Sequence, residues 1–265
     1  MKIGLFDSGL GGLIVTHSLI QTMPEYDYVY LGDTARVPYG NRSQEVIYDF
    51  TKNAVAYLCE QDCQLIIIAC NTASAEALRK LQQEYMPAHY PDRKVLGVLV
   101  PAAEEVVAHT KNNRVGIIAT AGTVSSGTYI TEIQKRNPQI KVTQQAAPLL
   151  VPLVENNALK YAEPILDDYL APLLKAGIDT LVLGCTHYPF LKQLIRHRVG
   201  EVAIISQDEV VPKKLRDYLA RHPEITAKLT TDSSRAFLTT DVAPSTKEVA
   251  TLLFGEAIDL QKVSL

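Results

Sequence analysis

Residues 65–72, LIIIACNT, decide the fold class, because an unbroken apolar run leads there into a cysteine and small polar residues. Apolar runs without alternation are typical of strands that are covered on both faces, as in parallel sheets. Similar short runs occur at residues 3–6, 28–31, 95–100, 115–119, 180–183 and 202–205. We predict a buried strand at each of them.

Longer stretches with helical spacing separate these runs. They cover residues 43–60, 74–85, 125–135, 158–175 and 209–220. Strands that alternate with helices predict an α/β protein whose sheets are mostly parallel.

Two strand-to-loop units occur twice, in the same order and at nearly the same spacing. The segment at 2–9, KIGLFDSG, resembles RVGIIATA at 114–121, and LIIIACNT resembles LVLGCTH at 181–187. The repeat predicts two similar three-layer α/β domains with mostly parallel sheets, related by a pseudo-twofold axis, with the functional site in the cleft between them. We expect a discontinuous first domain of residues 1–97 plus 208–265 and a second domain of residues 98–207.

The overall composition excludes several classes of protein. The chain has 265 residues, 47% of them hydrophobic, and 26 Lys and Arg against 29 Asp and Glu give a formal net charge of −3. A chain of this length buries a sizeable core without disulfide or metal staples. The absence of a basic run argues against nucleic acid as the main partner. Neither a signal-peptide core nor a membrane-spanning apolar stretch is found, so we expect a cytoplasmic protein with no membrane partner.

The four cysteines divide into two pairs. Cys59 and Cys63 lie near the end of a predicted helix, and we expect them to be packing residues, because a metal site would need two further ligands nearby. No metal site is therefore predicted. Cys70 and Cys185 each follow a predicted strand and precede a helix N-terminus, a position that favours a thiolate. Taken singly, each could also be small apolar filler with an ordinary helix cap behind it.

Two thiols at matched places in two related halves suggest a pair of bases on opposite faces of one carbon. Epimerisation at an α-carbon needs this arrangement, since one base removes the proton while the other, protonated, delivers one from behind. Other uses of two cysteines fit less well. A redox pair is typically C-x-x-C, structural zinc needs close ligand pairs, and a cysteine–histidine hydrolase needs one cysteine only. His187 could orient or deprotonate the Cys185 thiol, or serve only as a helix cap.

Six motifs together resemble the glutamate racemases, of the cofactor-independent Asp/Glu racemase family, and the resemblance covers almost the whole chain. The motifs are FDSGLGG at 6–12, GDTARVPYG at 32–40, ACNTAS at 69–74, ATAGTVSSGTY at 119–129, PLVE at 152–155 and LGCTHYP at 183–189. The resemblance implies an isomerase that interconverts L- and D-glutamate with cysteine bases and without a cofactor. It also implies a role in supplying D-glutamate for peptidoglycan, and so in cell-wall biogenesis and cell shape.

The resemblance further implies which residues form the site. Cys70 would act on the D-enantiomer and Cys185 on the L-enantiomer, and Asp7, Glu155 and His187 would assist the two thiols. The residues matched to substrate-binding positions are Asp7, Ser8, Pro38, Tyr39, Gly40, Asn71, Thr72, Thr120, Thr123, Thr186 and His187. The family motif commonly has Phe where this chain has Val37, a departure that we expect to alter packing beside the site and to leave the chemistry intact.

Two other functions stay open on the sequence. One is an aspartate or other acidic amino-acid racemase on the same scaffold. The other is a non-catalytic protein that binds a dicarboxylate, which would leave the second cysteine unexplained. The expected small-molecule partner is glutamate, and a homodimer is expected because small soluble enzymes commonly form twofold pairs.

Overall fold

The computed structural model describes residues 1–265, which form ten β-strands and fourteen α-helices. The strands are β1 Lys2–Asp7, β2 Tyr28–Gly32, β3 Cys63–Ile68, β4 Lys94–Gly97, β5 Arg114–Ala119, β6 Lys141–Ala146, β7 Thr180–Gly184, β8 Ala203–Ser206, β9 Arg235–Thr239 and β10 Leu260–Lys262. The helices are α1 Gly12–Thr22, α2 Gln44–Glu60, α3 Asn71–Glu76, α4 Leu78–Lys80, α5 Met86–His89, α6 Leu99–His109, α7 Ala121–Ser125, α8 Thr128–Arg136, α9 Leu150–Glu155, α10 Ala162–Lys175, α11 Lys192–Val199, α12 Gln207–Arg221, α13 Pro223–Thr226 and α14 Pro244–Phe254. None of these helices combines the length and the apolar character that crossing a membrane requires.

The strands form two sheets in which every pair is parallel. One sheet has six strands in the order β10-β9-β2-β1-β3-β4, and the other has four in the order β6-β5-β7-β8. The α/β class with mostly parallel sheets is therefore confirmed. The four-strand order β2-β1-β3-β4 in the first sheet is the same as β6-β5-β7-β8 in the second, so the sequence repeat corresponds to a repeated topology.

The apolar runs are buried because both faces of the sheets are covered. All six residues of β3 and the last five of β1 are buried. Their side chains alternate between two cores: Phe6 belongs to a cluster that packs under α2, whereas Leu5 belongs to a larger cluster. The larger cluster also contains Ile117 of the second sheet, so one continuous core joins the two sheets.

Three boundaries differ from the sequence-based predictions. The predicted strand at 95–100 ends at Gly97, and α6 begins at Leu99 with Pro101 in its first turn, where the missing N–H leaves no intrahelical bond unmade. The predicted helix at 74–85 is instead the series α3, α4, a π-helical turn at Leu81–Tyr85, and α5. The predicted helix at 125–135 is divided into α7 and α8 by Gly127, whose φ of +63° places it in the left-handed region.

Three strands were not predicted: β6, β9 and β10. The strand β6 has the polar sequence KVTQQA and lies half-buried at the edge of its sheet, so it lacks the apolar run that marks the others. The strands β9 and β10 extend the sheet that β1 begins. The helix α12 begins at the proposed boundary 207/208 and packs against α1 of the first predicted domain and against α6 of the second. The domain division at residues 97/98 and 207/208 therefore stays a proposal.

Candidate active site

The two cysteines singled out by the sequence lie where each sheet reverses its strand order. In the first sheet β2 and β3 lie on opposite sides of β1, so the strand order reverses direction there. In the second sheet β6 and β7 lie on opposite sides of β5 in the same way. Such a reversal opens a crevice at the carboxyl ends of the strands, which is where α/β proteins bind ligands. Cys70 follows β3 beside the end of β1, and Cys185 follows β7 beside the end of β5.

A cavity of about 350 Å³, called here the central cavity, lies between these two crevices. Its volume is in the range of pockets for small molecules. Most of the residues that the sequence suggested line it: Ser8, Pro38, Tyr39, Gly40, Cys70, Asn71, Thr72, Thr120, Glu155, Cys185, Thr186 and His187. Both thiols are thus exposed to one space.

Two of the suggested residues lie behind the cavity wall and do not line it. Asp7 is 1% exposed, and it accepts hydrogen bonds from the Gly9 amide at 3.0 Å and from Thr186 Oγ1 at 3.4 Å. Thr123 is fully buried, with its Oγ1 3.2 Å from Thr72 Oγ1. Asp7 can therefore act on a ligand through its charge and through Thr186, and Thr123 can act through neighbouring hydroxyls.

Cys70 is held as the N-cap of α3. Its Sγ accepts a hydrogen bond from the Ala73 amide at 3.4 Å and lies 3.2 Å from Ser8 Oγ. Burial, followed by the negative charge of Asp7, raises the pKa of the Cys70 thiol to about 12, although the bonds from Ser8 and Ala73 oppose this. At neutral pH Cys70 therefore carries its proton.

Cys185 has the opposite electrostatic surroundings. Its Sγ lies 3.8 Å from Nδ1 of His187, and Nε2 of the same ring lies 3.0 Å from Oε1 of Glu155. Burial alone lowers the pKa of His187, but the bonds to Cys185 and Glu155 outweigh it and raise that pKa to about 10. His187 is therefore an imidazolium at neutral pH and lies beside the Cys185 sulfur.

Burial also raises the pKa of the Asp7 carboxyl, and the positive charge of His187 opposes this effect. Asp7 lies close enough to Cys70 for its charge to matter there, whereas His187 contacts Cys185 directly. The two thiols therefore differ in their charged neighbours: Cys70 lies near the carboxyl group of Asp7, whereas Cys185 contacts the imidazole ring of His187. Two such acid–base groups that open into one cavity could act on the two faces of one carbon.

Hydroxyl and amide groups surround the space between the thiols. Thr72 Oγ1, from the first sheet's side, lies 2.8 Å from Thr120 Oγ1, from the second sheet's side. Asn71 and Thr186 add further polar side chains to the wall. Such preorganised donors can stabilise the negative charge that develops when a Cα proton is removed.

The GDTARVPYG segment is held in place by Asp33, which the sequence analysis missed. Its fully buried carboxylate accepts hydrogen bonds from Tyr39 Oη at 2.5 Å and from Arg36 Nε at 2.6 Å. Thr240 Oγ1, which follows β9, donates a third at 2.9 Å. The sequence does contain a signal for this residue, because Asp33 lies in the GDTARVPYG motif, directly after β2 and before the cavity residues Pro38 to Gly40.

Several lining residues are not among those that the resemblance matched to catalytic or substrate-binding positions. They are Gly9, Val37, Asn41, Ala121, Pro148, Val151 and Pro152. Val37, the departure from the family motif, is 43% exposed at the rim, and its Cγ1 would lie 3.2 Å from a Cβ placed at Gly9. Most of these residues are apolar or lack a functional group, so no chemical pattern distinguishes them in the sequence.

Cys59 and Cys63, the two cysteines outside the cavity, are core residues. Burial raises the pKa of Cys59 to about 11 and that of Cys63 to about 12, and both belong to the core under α2. No group of three or more His, Cys, Asp or Glu side chains is placed to hold a metal ion. No lysine is among the residues that line the central cavity.

Comparison with known proteins gives consistent results over the whole chain. The family described as Asp/Glu/hydantoin racemase matches residues 3–211. A glutamate racemase of Persephonella marina is 39% identical over 267 residues, which cover 100% of this chain and 98% of that protein. The crystal structure of a glutamate racemase isoform from Bacillus anthracis superimposes with a TM-score of 0.91 at 34% identity and covers 100% of this chain and 97% of that one. A Francisella tularensis glutamate racemase in complex with D-glutamate superimposes with a TM-score of 0.89 at 31% identity, over 99% and 97% of the two chains.

Proposed function

The chain belongs to the Asp/Glu/hydantoin racemase family and is an amino-acid racemase, and on that premise we propose that it interconverts L- and D-glutamate. The observation that carries the proposal is that Cys70 and Cys185 open into one cavity with opposite electrostatic surroundings. The names of the aligned relatives support glutamate as the substrate.

In the direction from L to D, the Cys185 thiolate removes the Cα proton of L-glutamate. Cys70, which holds its proton, delivers it to the opposite face of the same carbon. One S–H bond and one C–H bond form while one of each breaks, so the reaction is balanced. The thiols then carry the protonation states needed for the reverse reaction. This assignment agrees with the imidazolium beside Cys185 and the raised pKa of Cys70.

The Cα–H of an amino acid is a weak acid, so the thiolate needs help. We propose that the residues around the substrate's ammonium and carboxylate groups are Asn71, Thr72, Thr120 and Thr186, together with Ser8, Pro38, Tyr39 and Gly40. Hydrogen bonds to the carboxylate next to Cα become stronger as negative charge spreads onto it, and a cavity that excludes water increases their effect. Asp7 and Glu155 act indirectly: Asp7 acts through its contact with Thr186, and Glu155 acts through its contact with His187.

We extend the proposal to the protein's setting. The D-glutamate would supply peptidoglycan synthesis in the cytoplasm, and the enzyme would act as a homodimer. The role in peptidoglycan synthesis rests on the sequence resemblance, and the dimer rests on the frequency of twofold pairs among small soluble enzymes. Size-exclusion chromatography with light scattering tests the dimer, and D-glutamate auxotrophy on deletion of the gene tests the role in cell-wall synthesis.

The decisive experiment combines isotope exchange with matched cysteine variants. Each glutamate enantiomer incubated with the protein in heavy water should gain deuterium at Cα, and circular dichroism should show approach to the racemate. Cys70→Ser and Cys185→Ser should each abolish racemisation, whereas the control Cys59→Ala should retain it. Turnover of aspartate in preference to glutamate would reassign the substrate, and binding without exchange would contradict catalysis.

A further inference from the structure

Asn71 is held from behind by two buried side chains of other elements. Its Oδ1 accepts a hydrogen bond from Tyr129 Oη at 2.8 Å and another from Gln207 Nε2 at 3.1 Å. Gln207 Nε2 also donates to Tyr129 Oη at 2.9 Å, so the three groups form a closed triangle. Its members are at most 2% exposed. We call this arrangement the Asn71 clamp.

The other end of the same amide has no partner. Nδ2 of Asn71 is buried and makes no hydrogen bond, although the residue lines the central cavity. A buried donor without a partner is costly, and native proteins retain few of them. A carboxylate oxygen in the cavity would satisfy it.

An amide can present either of its ends to the cavity. With Oδ1 turned inward, Asn71 offers an NH2 donor, which binds a carboxylate. Turned over, it would offer a carbonyl oxygen, which repels one. Tyr129 and Gln207 together supply two donors to Oδ1, and these two bonds favour the first orientation.

Resting on the proposed function, we propose that Tyr129 and Gln207 are positioning residues that keep the Asn71 NH2 group directed at a substrate carboxylate. Neither residue lines the cavity, so each acts through Asn71. Burial raises the pKa of the Tyr129 hydroxyl, which therefore remains a donor at neutral pH.

The clamp also connects the two sheets. Asn71 begins α3, directly after the first sheet's Cys70, whereas Tyr129 lies on α8 and Gln207 begins α12 directly after β8 of the second sheet. Gly184, which precedes Cys185, leaves room for the tyrosine ring: a Cβ there would lie 3.3 Å from Tyr129 Cε2. The second sheet's side thus sets the orientation of a substrate-binding group on the first sheet's side.

The test compares KM and kcat for glutamate in variants that change the donors. Gln207→Leu and Tyr129→Phe each leave one donor to Oδ1, so each should raise KM only about two- to threefold. The double variant leaves none, and its KM should exceed the product of the single effects, because the amide is then free to turn over. Tyr28→Phe is the matched control, since it removes a buried hydroxyl that donates to Met23 O at 3.0 Å outside the site.

Gln207→Glu gives a readout that a merely structural role would not produce. The protonated acid can still donate to Oδ1, but the carboxylate can only accept, and it would turn the amide over. Its KM relative to the wild type should therefore rise with pH, by about tenfold or more once the acid ionises. The other titratable groups nearby, Tyr129, Cys185 and Asp208, are present in both proteins, so the ratio cancels their contribution.

Side-chain amide exchange of Asn71, followed by NMR on the substrate-free protein and assigned by its loss in Asn71→Ala, tests the orientation without turnover. Fast exchange in the wild type and slowed exchange in Gln207→Glu at high pH are expected. Slow exchange in the wild type, or a KM ratio that ignores pH, would overturn the clamp. Failure of the wild type to racemise glutamate would instead contradict the proposed function, and the exchange result would still stand.

Discussion

Nε2 of His187 lies 3.0 Å from Oε1 of Glu155, so the ring that faces the Cys185 sulfur has a carboxylate on its far side. The two contacts outweigh the effect of burial and raise the pKa of His187 to about 10. The positive charge of this ring distinguishes the surroundings of Cys185 from those of Cys70, which lies within the field of Asp7.

The variant Glu155→Gln should lose activity at a lower alkaline pH than the wild type does. It removes one of the two contacts that raise the pKa of His187, so the imidazolium loses its proton at a lower pH. The alkaline limb of the kcat/KM profile should move down by about one pH unit. The measurement is kcat/KM for both enantiomers from pH 6 to 10. Because the equilibrium constant of a racemisation is one, both directions must move together, and an unmoved limb would contradict the role of Glu155.

His187 should also make stability depend on pH. Its pKa is about 10 in the folded protein against an ordinary value of 6.5, so its contribution is complete below about pH 6.5 and is lost as pH rises toward 10. The Tm difference between the wild type and His187→Gln should therefore be largest near pH 6, should shrink as pH rises above 6.5, and should be smallest near pH 10. A difference that grew with pH would show that the imidazole is neutral in the fold.

Asp7→Asn should separate activity from stability. Burial raises the pKa of Asp7, so ionising it disfavours the fold as pH rises through that raised value. The asparagine variant should match or exceed the wild-type Tm near pH 8, and its advantage should decrease toward acid pH. Its kcat/KM should fall by about ten- to a hundredfold, because the charge near Cys70 is lost. A lower Tm together with full activity would contradict both parts.

Gly11→Ala should disturb the site through a steric clash. A Cβ at Gly11 would lie 2.5 Å from Nδ1 and Cε1 of His187 and would also overlap Thr186. We expect kcat/KM to fall at least about tenfold, with a loss of about 1–3 kcal/mol in the free energy of unfolding. Gly116→Ala is the matched control, because its Cβ would meet Ile178 Cδ1 at 2.6 Å inside the core. It should lose stability and keep its kcat/KM, and a similar activity loss in both variants would contradict the explanation.

The helices with regular apolar spacing and the strands with continuous apolar runs could be predicted from the sequence. LIIIACNT and LVLGCTH mark interior strands of their sheets, where burial on both faces requires apolar side chains. The same logic fails for β6, whose edge position permits a polar sequence, and for β4, where the apolar run continues into α6. Apolar residues at 98–100 serve a buried helix as well as a strand, so the run alone could not show where one ends.

The candidate site was predictable where chemistry marks a residue. Cysteines at matched strand ends suggested one shared cavity, but the sequence could not tell that Asp7 and Thr123 stand behind its wall. The contact of Gln207 with Asn71 joins residues 136 positions apart and depends on how the two sheets pack. The hydrophobic periodicity of a sequence describes neighbouring residues only, so it does not predict a contact between residues so far apart in the chain.

The pairing of β2 with β9, which joins Tyr28 to Arg235, determines when the first sheet can be finished. On the ribosome, all strands of the four-stranded sheet emerge before β9 does. Until then β2 presents an unpaired row of backbone N–H and C=O groups, to which another nascent chain could add a strand. The sheet that contains β1 is thus completed after the other sheet, and the growing chain must keep the edge of β2 unoccupied until β9 emerges.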